Sequence, residues 1–173
     1  MGMTKLSGKF IMFASIILII SSLLPAAFIW LIGKYMGVFE IKITYWFWGF
    51  WYAQSFESVS GNLSIIGFIL DIIGIICGVL LAGGGIIGFI IGNKLRKETM
   101  GLKIGGVYLV ILGLLSIIML IVWSLFILNI AIELSYFFLM DEIYYSIGPG
   151  IIFGIIGGIF TTIGGFFTLL AKD

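Results

Sequence analysis

Histidine is absent from this chain, and cysteine occurs once, at Cys77. There is thus no imidazole base or haem-histidine ligand. No zinc site of His or clustered Cys type can be assembled, and no internal disulfide can close. Charge is scarce as well: 9 Lys and Arg and 8 Asp and Glu make up 10% of 173 residues, with a net charge of +1. The basic footprint of a nucleic-acid partner is missing. In place of polar residues the chain is 62% hydrophobic, with a mean hydropathy of +1.30. A water-soluble domain carries about 25% charged residues and about 45–50% apolar ones. So little polar surface cannot cover a globule in water, so the expected solvent is a lipid bilayer. Isoleucine is the commonest residue, a composition that points to an AT-rich, prokaryotic genome.

A helix needs about 20 mainly apolar residues to cross a hydrocarbon core about 30 Å thick. Four stretches meet that condition: residues 10–32, 63–92 (or the shorter 72–92), 104–128 and 148–171. Isolated strands cannot satisfy their backbone in lipid, and barrel strands alternate where these runs are continuously apolar. The expectation is an all-α membrane protein: one domain over residues 1–173, built as a four-transmembrane-helix bundle. The first stretch reads as a retained span, because its run of about 23 residues exceeds the ~7–15 of a signal peptide. Pro149 suits the first turn of the fourth helix, where a missing N–H costs nothing.

Lys and Arg in short loops set orientation. The N-terminus, the second connection and the C-terminus hold Lys5, Lys9, Lys94, Arg96, Lys97, Lys103 and Lys172; the first and third connections hold only Lys34 and Lys42. Both termini are therefore expected in the cytoplasm, with the protein a multi-pass component of the cell membrane. The charges of the short inner hairpin, residues 93–101, are read as setting topology and touching anionic headgroups.

Glycine, by contrast, is plentiful, with 25 residues. Gly74 and Gly78, then Gly84, Gly88 and Gly92, stand at four-residue spacing in the second span. Gly150, Gly154, Gly158 and Thr162 do the same in the fourth. Such rows lie on one helix face and let two backbones approach closely. The expectation is that spans two and four pack tightly together, or that one of them meets a neighbouring subunit. Asp71, in or beside the second span, is either an interfacial helix-start residue or part of an ion pathway.

The first external loop, residues 33–62, changes period. Phe39, Ile41, Ile43, Tyr45 and Phe47 alternate with Glu40, Lys42, Thr44, Trp46 and Trp48. This two-residue period predicts a small antiparallel β-hairpin or sheet over about 38–56. Trp46, Trp48, Phe50, Trp51 and Tyr52 crowd into it, either as an aromatic belt at headgroup level or as a partner-contact surface. Asn62 opens an Asn-Leu-Ser sequon, a glycosylation candidate on the expected outer side. The third connection, 129–147, is expected to prolong the third helix to about 138 and then to form a solvated acidic loop. Its Asp141 and Glu142 are the residues there that would bind a hard cation weakly, but no metal site is assigned to them.

This pattern resembles the claudin and peripheral-myelin-protein tetraspan superfamily. Trp30 is followed, after 18 residues, by Gly49-Phe50-Trp51, similar to that superfamily's Trp and Gly-Leu-Trp signature. The short inner loop and the prolonged third helix agree with it. The two cysteines that follow the signature are absent; Gln54 and Ser64 stand near their places. The resemblance implies four spans, internal termini, a first external loop folded as an antiparallel sheet, and an adhesive or membrane-organising role.

The spans hold no Ser–Lys, paired-Asp or His-containing constellation, so no enzyme is expected and no catalytic, cofactor-binding or metal-ligating residue is assigned. The expected function is structural: self-association, or contact with other membrane proteins, through the aromatic loop and the Gly-rich helix faces. The alternatives are a small accessory subunit of a larger membrane complex and an oligomeric channel or transporter component. Lipid is the certain partner of such a chain.

Overall fold

The computed structural model describes residues 3–33, 39–48, 51–57, 63–65, 72–137 and 141–171. Four helices carry the chain: α1 (Met3–Leu23), α2 (Ile72–Arg96), α3 (Leu102–Phe137) and α4 (Pro149–Leu170). All four are long and apolar enough to cross a membrane. The protein is thus a four-helix integral membrane bundle. At 36 residues α3 extends about 54 Å at 1.5 Å per residue, well beyond a hydrocarbon core of about 30 Å. The helices wear their large side chains outward. Ile86, Ile87, Phe89 and Ile90 of α2 and Ile152, Phe153, Ile156 and Ile159 of α4 are all exposed, while the glycines of the same helices, Gly83 excepted, are buried. That coat belongs in lipid, since a soluble monomer rarely exposes so large a contiguous apolar area.

Five strands form one antiparallel sheet at the end of the bundle where α1 stops and α2 and α4 start. They are β1 (Pro25–Gly33), β2 (Phe39–Trp46), β3 (Trp51–Glu57), β4 (Leu63–Ile65) and β5 (Glu142–Ile147), in the order β4-β3-β2-β1-β5. The expected hairpin is present as β2 and β3, with Tyr45 opposite Trp51. The rest of the sheet corrects the sequence reading. Residues 25–33 are the sheet's second-outermost strand on the β5 side, not the end of the first span. Helix α1 stops before Pro25, which cannot continue a helix. It begins at Met3, so the helix lies about seven residues earlier than the 10–32 stretch. Strand β5 replaces most of the expected acidic loop after α3. The Asp141 N–H donates to the Ile32 carbonyl at 2.9 Å and the Gly148 N–H to the Ala26 carbonyl at 2.8 Å, fastening both ends of β5 to β1. Helix α2 starts at Ile72, the later of the two starts considered, because residues 63–65 belong to β4.

Helix pairing also differs from expectation. The closest pairs are α1 with α2 and α3 with α4, then α1 with α4, and α2 with α3; α2 and α4 stand diagonally and make no substantial contact. Gly88 and Gly92 of the α2 row face α1, as does the adjacent Gly85. A Cβ on Gly92 would come within 2.9 Å of the Gly8 carbonyl oxygen and 3.0 Å of Met12 Cγ, and one on Gly85 within 2.8 Å of the Ser15 carbonyl. Gly88 meets Ser15 of α1, and the remaining members of the row serve other neighbours: Gly84 meets Leu112 of α3 and Gly78 meets the Phe47 backbone beneath the sheet, while Gly74 is buried. The row of α4 faces α3, with Gly158 against Ile117 and the Gly113 carbonyl, Gly165 against Val110, and Gly154 against Leu120. Gly150 lies under Leu24 and Phe47. Thr162 donates to its own helix at the Gly158 carbonyl, 2.9 Å away. A row of small residues fixes how near a neighbour can come. It does not name the neighbour, and the complementary small residues Gly8, Gly106 and Gly113 sit on α1 and α3.

Buried hydroxyls inside the bundle are paired on their own helices. Ser15, Ser21, Thr161 and Thr168 are fully buried and donate to carbonyls three or four residues back on their own helices at 2.7 Å. Their polarity is spent locally, so none needs water. Among the described residues, no buried side-chain nitrogen or oxygen lacks a partner.

Candidate interaction surface

After an irregularity at Pro25–Ala27, β1 alternates in burial from Ala27 onward, as β2 does from Glu40, so the sheet has two chemically distinct faces. The inner face consists of Ala27, Ile29 and Leu31 of β1 and Ile41, Ile43 and Tyr45 of β2, all buried. It continues into one core with Phe47, Trp123, Ile127 and Ala131. Phe47 and Trp123 are both fully buried and tilted at 58°, with ring centroids 5.1 Å apart. On β5 the Tyr145 hydroxyl lies 3.4 Å from Ser124 Oγ of α3, a hydrogen bond linking the edge strand to the longest helix. The sheet is therefore seated on the helix ends as a rigid extension of the bundle.

The outer face is built across three strands. Register sets Trp30 of β1 opposite Lys42 of β2 and opposite Tyr144 of β5. The Lys42 ammonium lies 4.6 Å from the centre of the Trp30 ring. The Tyr144 ring packs against the other neighbour position, 5.7 Å away and tilted at 44°. Two carboxylates flank the aromatic pair: the Tyr144 hydroxyl donates to Glu142 Oε2 at 2.9 Å, and Lys42 Nζ approaches Glu40 Oε2 at 3.8 Å. An exposed cation–π contact contributes about 0.5–1 kcal/mol, and a cross-strand pair about 0.2–1 kcal/mol. These contacts fix the Trp30 side chain without burying it: Trp30 remains 38% exposed and Tyr144 53%. Phe28, two residues back on the same face, is 38% exposed. The result is a preformed aromatic patch flanked by one ammonium and two carboxylates.

The residues singled out from sequence are dispersed by this geometry. Trp46 ends β2 and is half-buried. Trp48 is half-buried in the following turn, where a Cβ on Gly78 of α2 would meet its ring at 3.1 Å. Both sit at the junction of sheet and helices. Gly49, Phe50, Asn62 and Asp71 lie outside the described residues, as do the side chains of Trp51 and Tyr52, whose backbones form the start of β3. Trp30 was visible through its spacing from Gly49-Phe50-Trp51, but as the end of a span rather than the centre of a surface. Phe28 and Tyr144 carried no signal of their own. Both become surface residues only once β1 and β5 are recognised as neighbouring strands.

Chemically the patch presents aromatic rings, one ammonium and two carboxylates. Among the described residues no three acidic or thiol side chains gather in a metal-sized group, and the carboxylates of Glu40 and Glu142 are each engaged by a neighbour on the same face. No protein-family model matches the chain, and no curated protein matches it.

Proposed function

We propose that this protein is a non-catalytic membrane organiser that associates with copies of itself through the outer face of its sheet. The sheet stands outside the cell membrane and both termini stand in the cytoplasm. The observation that carries this reading is Trp30, held in one orientation between Lys42 and Tyr144 while still accessible. Rigid, partly exposed Trp and Tyr with charged neighbours are the composition of protein–protein hot spots. An immobilised ring also loses less side-chain entropy on binding than a free one. The belt and contact roles then divide between two groups of aromatics. Trp46 and Trp48 lie where the sheet joins the helices and suit headgroup depth. Trp30 and Tyr144 lie on the face directed away from the helices and suit a partner.

The distribution of cationic side chains supports the orientation. Lys94, Arg96, Lys97 and Lys103 cluster at the end opposite the sheet, the arrangement of cytoplasmic connections. Kinship with the claudin and peripheral-myelin-protein superfamily belongs to the same proposal. A sheet formed largely from the first connection and a 36-residue third helix favour it. So do the positions of Gln54 and Ser64, which fall on the adjoining strands β3 and β4, one register step from direct opposition. The absent cysteines count against it.

The test is association of the purified protein and its Trp30→Ala variant, measured by light scattering in mild detergent and by cross-linking in native membranes. The expected result is loss of most of the oligomer with the helical content unchanged. Unaltered association of the variant overturns the reading. A wild-type protein recovered only at fixed stoichiometry with larger proteins assigns it instead to the accessory-subunit class.

A further inference from the structure

The end of the bundle away from the sheet carries a second surface. Here the first turns of α1 and the last turns of α4 leave a half-open groove of about 550 Å³, within the ~300–1,000 Å³ range of small-molecule sites. Leu6, Phe10 and Phe13 of α1 and Gly164 and Phe167 of α4 line it. Gly164 leaves a gap in the α4 side of the groove, where Ile11 packs so closely that a Cβ would lie 2.8 Å from its Cγ1. Phe160 of α4 packs on Phe10, with ring centroids 5.5 Å apart, and Phe167 borders the groove beside it.

Lys9 is the one charged residue of the lining. It is exposed and makes no ion pair or hydrogen bond among the described residues. Lys5, one turn earlier, is engaged differently, lying 3.8 Å from Glu98 of the turn after α2. Lys9 stands near the start of α1, and Phe13 lies one turn further along it. The medium around α1 and α4 is lipid, so an apolar groove with an exposed ammonium at its mouth complements one class of molecule.

We propose that this groove is a binding site for one anionic phospholipid. Its phosphate sits on the Lys9 ammonium and its acyl chain lies along Phe10, Phe13 and Phe167. The site is independent of the sheet and of the association proposed for it. The charge contributes selectivity and the groove contributes retention. One Lys near the membrane surface adds about 1 kcal/mol of attraction to anionic lipid, which corresponds to about a fivefold preference.

Native mass spectrometry of the detergent-purified protein tests this with phosphatidylglycerol, phosphatidylcholine of identical chains, and glycerol phosphate alone. The expected result is one retained phosphatidylglycerol, bound about fivefold more tightly than phosphatidylcholine, with no retained glycerol phosphate. In Lys9→Gln the preference falls to parity. In Lys9→Arg and Lys5→Gln it stays. Equal retention of the two lipids by the wild-type protein overturns the site, and this arm needs no variant to fold. So does a preference that survives Lys9→Gln, or glycerol phosphate bound as well as the lipid.

Discussion

The two ends of this bundle are held together by opposite means. At the sheet end the contacts are large side chains: Trp123 and Phe47 fill the space between helix ends and sheet, backed by Ile127, Ile29 and Leu81. At the other end the helices meet backbone to backbone, with Gly8 on Gly92 and Gly106 on Gly165. The buried cluster there is only Ile11, Ile91, Leu95, Leu102 and Leu109. The difference follows from what each end must do. The sheet end supports an added layer and needs volume beneath it. The other end needs only close approach, where dispersion between backbones replaces a hydrophobic effect that lipid does not supply.

The contrast makes the two ends fail under different substitutions. Trp123→Ala empties the space under the sheet and is expected to cost about 3–5 kcal/mol. Denaturant-induced unfolding of the detergent-solubilised protein measures that loss, with an early loss of near-ultraviolet aromatic signal. A loss below about 1 kcal/mol would mean that the sheet is not seated on that residue. At the other end, addition is what harms. Gly92→Leu drives a side chain into Gly8 and Met12, and overpacking of this kind costs about 1–3 kcal/mol. The effect should be read as separation of α1 from α2, by loss of a cross-link between cysteines placed on the two helices. Gly83 supplies the control, since a Cβ there meets nothing within 4 Å. Gly83→Ala is expected to be neutral, or to stabilise by up to about 1 kcal/mol through helix propensity. Equal damage from Gly83→Ala and Gly92→Leu would erase the distinction between facing and idle glycines.

Legibility from sequence follows the same division. The four helices were visible because a long apolar run in this composition has only one stable form in lipid. Strands β2 and β3 were visible because Phe39 to Trp48 alternate. Strand β1 was hidden because residues 26–32 are continuously apolar and abut the apolar run of α1. Hydropathy alone does not separate a buried strand from a helix. Pro25 was the available signal for that boundary. Strand β5 was hidden in turn, since its one partner is β1 and its own residues, Glu142 to Ile147, alternate weakly. The outer face therefore had no visible centre: Trp30 was noticed, Lys42 was noticed, and the strand that sets them side by side was not. Helix pairing was illegible for another reason, because glycine rows specify distance and leave the partner open.

The orientation proposed above has the sheet's outer face in water, on the side of the membrane opposite both termini. Cysteine labelling with a membrane-impermeant maleimide tests it most directly, in a Cys77→Ala background that removes the native thiol. Ser146→Cys puts a thiol on the exposed outer face of β5, and Lys97→Cys puts one in the turn between α2 and α3. Intact cells are expected to label the first and to leave the second untouched until lysis. Labelling of Lys97→Cys in intact cells, with Ser146→Cys protected until lysis, would contradict it.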